Sequence, residues 1–582
     1  MKPFRVWAPL PRKVELQIGN KLFPMSAGAD GWWTAEPPVE PGDDYGFILD
    51  GAGPFPDPRS PWQPNGVHGL SRAVERGAFQ WSDAGWQPPP FSAAVIYELH
   101  AGTFTPAGTF AAVIGKLGHL AALGVTHVEL MPVNEFPGDR GWGYDGVDLF
   151  APHHAYGGPQ GLKELVDACH ARGLAVLLDV VYNHLGPSGN YLGRFAPYFA
   201  TRYSAPWGPA VNFDGPESDE VRRFFCDNAL MWLRDYHLDG LRLDAVHAIF
   251  DTSAQPFLEQ LGVEVRQLEA RLGRRLVVIA ESDSNDPRLL WPRERGGFAL
   301  DAQWNDDFHH ALHAVLTGER NGYFADFGAL AHLAKALRQA YVLDGCYSVY
   351  RRRRHGRPTA GLSGHRFLAY LQNHDQIGNR AQGERSRKLM SLGRLKAGAA
   401  LVFASPFVPM LFQGEEWGAS APFLYFTDHQ DPELARAVRE GRRREFAAFG
   451  GRPEDIPDPQ ARDAFERSKL DWSEIAQSPH LELLAWHRQL IRLRRAEPAL
   501  ADGRLEMVRT QCDEQACWLT VERGPITAAC NLAAVPQRLR LRAGKHRALM
   551  ISEGGIVAGD GFVELPLDSA AILKLEENSR RV

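Results

Sequence analysis

From Phe91 onward the chain repeats one pattern: a short, nearly all-apolar run, then a stretch whose apolar residues recur at helical spacing. The runs are Ala94–His100, Gly124–Val133, Gly173–Val181, Gly240–His247 and Leu276–Glu281, with Ala299–Trp304, Phe367–Leu371 and Phe407–Phe412 completing the series. Strands apolar along their whole length are buried on both faces, which requires helices above and below a parallel sheet. The intervening segments supply them. Leu162, Leu165, Val166 and Cys169 fall on one helical stripe. Phe225, Ala229, Trp232, Leu233 and Tyr236 make another, and Thr109 can cap a third that carries Ile114, Leu117 and Ala121. Eight such units predict an α/β fold closed as a (β/α)8 TIM barrel. An open sheet satisfies the same alternation, because closure is not written in the pattern.

The flanks read as β. Arg5-Val-Trp, Val14–Ile18 and Gly31-Trp-Trp-Thr are short strand-like runs punctuated by Gly and Pro. Gln87-Pro-Pro-Pro90 reads as a stiff linker. Past Leu500, strand-like runs return at Ala516–Val521, Ile526–Cys530 and Ala571–Leu575. The expected organisation is an N-terminal β-sandwich over 1–90, the barrel over 91–495 and a C-terminal β-sandwich over 496–582. Between the third strand and its helix lies an excursion, residues 185–218, rich in Gly, Pro, Tyr and Phe. A loop this long is usually functional. It leaves from the C-terminal end of a strand, the side on which barrel enzymes build their sites.

A net charge of −6 argues against a nucleic-acid partner. No apolar run is long enough to span a bilayer, so no membrane partner is expected. The segment Met1–Pro9 lacks the apolar core of a signal peptide, which leads to an expected cytoplasmic location. The 6 cysteines are scattered without a CxxC pair, so neither a zinc site nor a disulfide framework is expected. Cys512 and Cys517 are close enough to raise a pairing question, with buried free thiols the plainer reading. Gly141-x-Gly143-x-x-Gly146 has the spacing of a dinucleotide fingerprint but runs into no helix, so it is set aside. Arg351–Arg354 reads as a solvated basic loop, with substrate contact the alternative.

Polar residues sit at four strand ends where apolar ones would be cheaper. In Gly240–His247, Arg242 and Asp244 are two residues apart and so share one side of the strand. A charge pair in an apolar run is costly unless it is paired or used. It is either a structural ion pair or a nucleophile held by its arginine. The other ends are Asp179-Val-Val-Tyr-Asn-His184, Ala280-Glu-Ser282 and Gln372-Asn-His-Asp375. In a barrel all four converge on one mouth. Three carboxylates there suit glycoside cleavage with retention, the nucleophile and acid/base standing roughly 5 Å apart. A third carboxylate beside them would raise the acid's pKa by like-charge repulsion.

These four segments resemble the four signature regions of the α-amylase family of glycoside hydrolases. The resemblance covers most of the barrel and extends to the flanking β segments. It implies Asp244 as nucleophile, Glu281 as general acid/base and Asp375 as transition-state stabiliser, with Arg242 holding Asp244 ionised. It further implies that His184 and His374 bond the sugar on the non-reducing side of the cut, and that Tyr144 is the aromatic platform beneath it, with Asp145 alongside. His247 either lines the acceptor side or stands behind it, and Asp179 is a structural anchor. Calcium occurs in this family through the position of Asn183, but the chain has no dedicated oxygen-ligand loop, so neither metal nor cofactor is expected.

Within the family, Tyr97–Phe104 resembles both branching and trehalose-releasing members. Asp301–His313 closely resembles the trehalose-releasing members, and Leu411–Gly418 fits their eighth strand. The reaction so implied is hydrolysis of the α-1,4 bond next to the terminal trehalose unit of maltooligosyltrehalose, with related α-glucans as substrates. The alternatives are a 1,4-α-glucan branching transferase and a non-catalytic amylase-like binding protein. Reading of the trehalose end falls to Asp306, Asp307, Phe308 and the loop near Trp417, unless packing around the sixth strand accounts for them.

Overall fold

The computed structural model describes residues 4–75, 77–205, 207–448, 452 and 455–576. Each of the eight apolar runs contributes a strand to one closed parallel barrel. The strands are β1 (Ile96–Leu99), β2 (His127–Leu130), β3 (Ala175–Val180), β4 (Gly240–Leu243), β5 (Val277–Ala280), β6 (Ala302–Trp304), β7 (Phe367–Ala369) and β8 (Val408–Phe412). β8 closes the ring by pairing Met410–Phe412 with Ile96–Glu98 of β1.

Strand parity decides what points inward. Ile96, Leu177, Val277, Ile279, Ala302, Trp304, Leu368 and Met410 pack together inside the barrel. Val176, Leu178, Leu241, Leu243 and Val278 belong instead to the layer shared with the helices. Steps of two carry the inward series 240–242–244, 277–279–281 and 302–304–306 up to the C-terminal rim. Gly240 begins one series because nothing larger fits: a Cβ there would lie 2.5 Å from the Val277 carbonyl oxygen and 2.8 Å from Leu177 Cδ2.

The helix Gly158–His170 buries Leu162, Leu165, Val166 and Cys169, and the helix Ser218–Asp235 buries Phe225, Ala229, Trp232 and Leu233. Thr109 does cap a helix, its side chain accepting from the Ala112 N–H. That helix ends at Ile114, and a second spans Leu117–Leu123. Ala121 is exposed, and the buried stripe is Phe110, Val113, Leu117, Leu120 and Leu123. The break at Gly115 and Lys116 offsets the second helix from the phase a continuous helix would have.

Two excursions rise from the C-terminal rim. Residues 185–218 form a short helix, Leu192–Phe195, and an antiparallel hairpin, Phe199–Ala205 with Gly208–Val211. The second, after β2, is a ribbon pairing Asn134–Glu135 with Asp148–Pro152. Its strands are too short to leave a periodicity in the sequence.

The N-terminal segment forms two antiparallel sheets, one containing Phe4–Trp7 and Trp32–Ala35, the other Val14–Ile18 and Asp44–Leu49. Its trailing end clamps the underside of the barrel. Trp81 stacks on His237 at 3.8 Å and Trp86 on His170 at 4.4 Å. Asp83 lies 2.8 Å from a ring nitrogen of each histidine, and Trp86 Nε1 donates to Asp239 at 2.9 Å. Burial alone would raise the Asp83 carboxyl; the two histidine contacts outweigh it and hold it below the ordinary carboxylate range. The leading end reaches the excursion: Leu10 N–H donates to the Phe195 carbonyl, Trp7 meets Tyr198 edge-on and His68 contacts the Tyr191 hydroxyl at 2.8 Å.

The C-terminal sheet has seven strands. Its longest, Gln537–Ile551, pairs first with Asp560–Leu565 and then with Ser569–Leu575, its register breaking around Gly544. The two halves enclose Ala529, Leu539, Val563, Ala571 and Leu573. All six cysteines are free, but Cys512 and Cys517, expected to be buried, are only partly so, because they sit in and beside an edge strand of the C-terminal sheet. Among the described residues, no helix is long and apolar enough to cross a membrane.

Candidate active site

Arg242 organises the mouth. Its guanidinium is buried and lies 4.2 Å over the Trp304 ring. Nη1 donates to both oxygens of Asp179, at 2.7 and 2.6 Å, and to Asp244 Oδ1 at 2.9 Å. Nη2 stands 3.7 Å from Glu281 Oε2. Asn183 Nδ2 holds the other Asp244 oxygen at 2.7 Å and the Asp244 carbonyl at 2.8 Å. Asp244 is thus fixed from two sides.

Past Asp244 the chain turns sharply. Ala245 has φ +37°, in the region L-residues avoid, and its N–H donates to Glu281 Oε2 at 2.5 Å. Burial pushes the Glu281 carboxyl well above its ordinary range; Arg242 opposes this, and the charges of Asp244, Asp306 and Asp375 reinforce it. Asp375 opens onto the cleft from the first turn of the helix His374–Gly378, which Asn373 caps with a capping box. Asn379 donates to Asp375 Oδ1 at 2.7 Å.

On the opposite wall, the Tyr144 hydroxyl donates to Asp179 at 2.6 Å and lies 2.8 Å from His374 Nε2, with the two rings stacked. His374 Nδ1 is in close contact with buried Glu98. Burial would lower the His374 pKa, but the Glu98 carboxylate more than offsets this and raises it. Asp179 is pushed up to about 6 by burial, in spite of Arg242. His184 contacts Asn183 through Nδ1 and stacks on the half-exposed Trp207 of the hairpin at 4.7 Å. Asp145 is partly open, 3.7 Å from His429.

Tyr144, Asp145, His184, Arg242, Asp244, His247, Glu281, His374 and Asp375 lie at this mouth or along its rim, but Asp307, Phe308 and Trp417 do not, and several neighbours were not anticipated. His247 Nδ1 is 3.9 Å from Asp283, and Asp283 in turn receives Arg351 at 2.7 Å. The basic run is therefore split: Arg352, Arg353 and Arg354 are exposed, whereas Arg351 is drawn to the rim. Asp306 is half-buried, accepts from the Tyr370 hydroxyl at 2.6 Å and is pushed up to about 7, chiefly by loss of solvation. Asp307 turns away to cap the Val342 and Leu343 N–H groups at 2.7 Å each. Phe308 and Trp417 are fully buried in the core, so neither lines the cleft. Parity at β6 could have separated Asp306 from its neighbours; the sequence did not distinguish Trp207 within the excursion or Arg351 within its basic run.

A cavity of about 1140 Å³ opens elsewhere, on the barrel flank between Trp62, Trp81 and Tyr236. Of its three carboxylates Glu75 is exposed, and Asp227 and Asp235 are engaged by Arg59 at 2.8 Å and Arg234 at 2.6 Å, so it offers no comparable acid–nucleophile arrangement.

Residues 76–201 match the model of the α-amylase catalytic domain. Over 584 residues the chain is 49% identical to the malto-oligosyltrehalose trehalohydrolase of Mycobacterium tuberculosis H37Rv, covering 99% of this chain and 100% of that one. It is 48% identical to the enzyme of the same name from Arthrobacter ramosus, covering 98% and 99%. Among solved structures, the 1.4 Å crystal structure of a Salmonella typhimurium protein assigned as an alpha amylase superimposes with a TM-score of 0.90, at 40% identity over 98% of this chain and 97% of that one.

Proposed function

From the premise that this chain belongs to the malto-oligosyltrehalose trehalohydrolases of the α-amylase family, we propose that it cleaves the α-1,4 bond joining a terminal trehalose unit to a maltooligosaccharide. The observation that carries the chemistry is the Asp244–Arg242–Glu281 arrangement: a carboxylate fixed by two donors faces a second carboxyl kept high in pKa. Glu281 donates its proton to the glycosidic oxygen as the C1–O bond breaks, and trehalose leaves. Asp244 attacks C1 from the opposite face and forms a covalent glycosyl intermediate. Glu281, now ionised, takes a proton from water, which displaces Asp244 with net retention. Asp375 meets the sugar hydroxyls as the ring flattens, and Tyr144, His184 and His374 hold the ring on the non-reducing side. We assign residues 1–90, 91–495 and 496–582 to the three structural units.

Trehalose is the leaving group, so its recognition belongs on the side of the acid. The rim there is made by Asp306, Asp283, Arg351 and His247. Hydrogen bonds to a bent disaccharide disfavour a linear one strongly, because mismatched buried polar groups are left unpaired. The deciding experiment supplies maltooligosyltrehalose and the equal-length maltooligosaccharide side by side. Free trehalose released much faster than glucose or maltose supports this reading. Equal rates, or α-1,6 branches without trehalose, refute it and favour the branching transferase.

A further inference from the structure

The ribbon after β2 carries Tyr144 and Asp145 into the cleft beside the buried Trp142, and its base holds a cluster the catalytic reading does not use. Glu135 comes from the first strand of the ribbon; His153 and His154 follow the second. Glu135 and His153 are fully buried, and His154 is partly open. Glu135 Oε1 lies 2.6 Å from His154 Nδ1 and 3.2 Å from His153 Nδ1. One candidate ligand atom from each residue falls within 4.8 Å of the others.

We propose that Glu135, His153 and His154 bind a divalent transition-metal ion, zinc by chemical class, that ties the two ends of the ribbon together. Three observations converge. Nδ1 of His153 has only the Glu135 carboxylate, 3.2 Å away, and Nε2 has no hydrogen-bond partner, although the ring is fully buried and stacked on Phe136 at 3.7 Å. Glu135 Oε1 already receives two imidazole nitrogens, and a divalent cation in their midst would draw the lone pairs of all three groups. The far nitrogen of His154 is 3.2 Å from Asp139 Oδ1, the outer carboxylate that orients a metal-bound histidine. A cavity of about 300 Å³ lined by His68, Pro137, Asp139 and His154 gives an entry path and room for a water as fourth ligand. Tetrahedral zinc sets its ligand atoms roughly 3.3 Å apart, so the Glu135–His154 pair, now at 2.6 Å, has to open while the Glu135–His153 pair at 3.2 Å already fits. Two imidazoles and one carboxylate suit zinc over calcium or magnesium, which prefer oxygen ligands.

The test uses the full chain, stripped with a chelator and dialysed against Zn²⁺ or Co²⁺. The expected result is one tightly held Zn²⁺ per chain, not displaced by millimolar Mg²⁺ or Ca²⁺, with a higher melting temperature. Glu135→Gln and His154→Gln should each weaken retention at least tenfold while keeping the far-ultraviolet circular dichroism of the parent. Independently of any variant, the Co²⁺ form should show the intense visible bands of a tetrahedral site. Absence of those bands, Zn²⁺ retention unchanged in both variants, or displacement by Ca²⁺ would each overturn the proposal.

Discussion

Replacing Arg242 with lysine keeps a positive charge and removes the fork. In the parent, one guanidinium nitrogen serves both Asp179 oxygens and Asp244 while the plane lies on Trp304. An ammonium on a shorter stem keeps one of these contacts at good geometry and loses the flat stacking surface. Two charge-assisted hydrogen bonds at about 1.5–3 kcal/mol each are then lost, about 3–6 kcal/mol in all. Part is recovered, because Asp179 already sits at about 6 with the guanidinium beside it and will take up a proton once that charge is less well placed. The remainder divides between a lower melting temperature and a nucleophile no longer aimed. The expected loss in kcat/KM is about 10²–10³-fold, corresponding to roughly 3–4 kcal/mol of transition-state stabilisation. Initial-rate release of trehalose, with melting followed by scanning calorimetry, reads both halves. An R242K enzyme within about threefold of the parent kcat/KM and with an unchanged melting temperature would show that Arg242 does not organise the mouth.

Asp306→Asn removes one of the like charges that keep Glu281 protonated while preserving the acceptor for Tyr370. A general acid works only below its pKa, so lowering that pKa moves the alkaline limb of kcat/KM to lower pH; because Asp306 titrates at about 7, the gap from the parent should widen above that pH, and a coincident limb would remove Asp306 from the acid's environment. Trp207→Ala strips the exposed ring from His184; KM should rise about five- to tenfold, the equivalent of about 1–1.5 kcal/mol of aromatic contact, with kcat within about twofold, and a selective loss of kcat would contradict a binding role. Gly240→Ala places a methyl 2.5 Å from the Val277 carbonyl at the barrel floor and should destabilise the fold by about 1–3 kcal/mol or more, read as a lower urea midpoint; an unchanged midpoint would mean the floor yields more easily than its packing implies.

Much of this was legible in the chain because parity and periodicity are local. Continuous apolar runs marked all eight strands, and a step of two along the fourth already joined Arg242 to Asp244. Legibility failed where tertiary contact chooses among equals. Asp306, Asp307 and Phe308 are consecutive, yet one faces the cleft, one caps a loop and one fills the core, according to where the helix Asp306–Thr317 begins. Trp417 and Trp207 are the same residue type in similar loop contexts, but only Trp207 has a histidine to stack on at the cleft. Arg351 left the solvated run its neighbours occupy because Asp283, far away in sequence, was waiting for it.

The N-terminal segment meets the barrel at opposite poles. Its trailing tryptophans are fastened beneath the strands, and its leading strand is bonded to the excursion from which Trp207 projects. Mechanically this is a strut spanning the height of the barrel. Force applied to the rim hairpin is carried down to His170, His237 and Asp239 without passing through the catalytic strands. The cleft wall on that side is thereby braced from outside the barrel. Removing the first 90 residues would cut the brace and free the hairpin while leaving the barrel's own sheet closed, so substrate grip should be lost before the fold is.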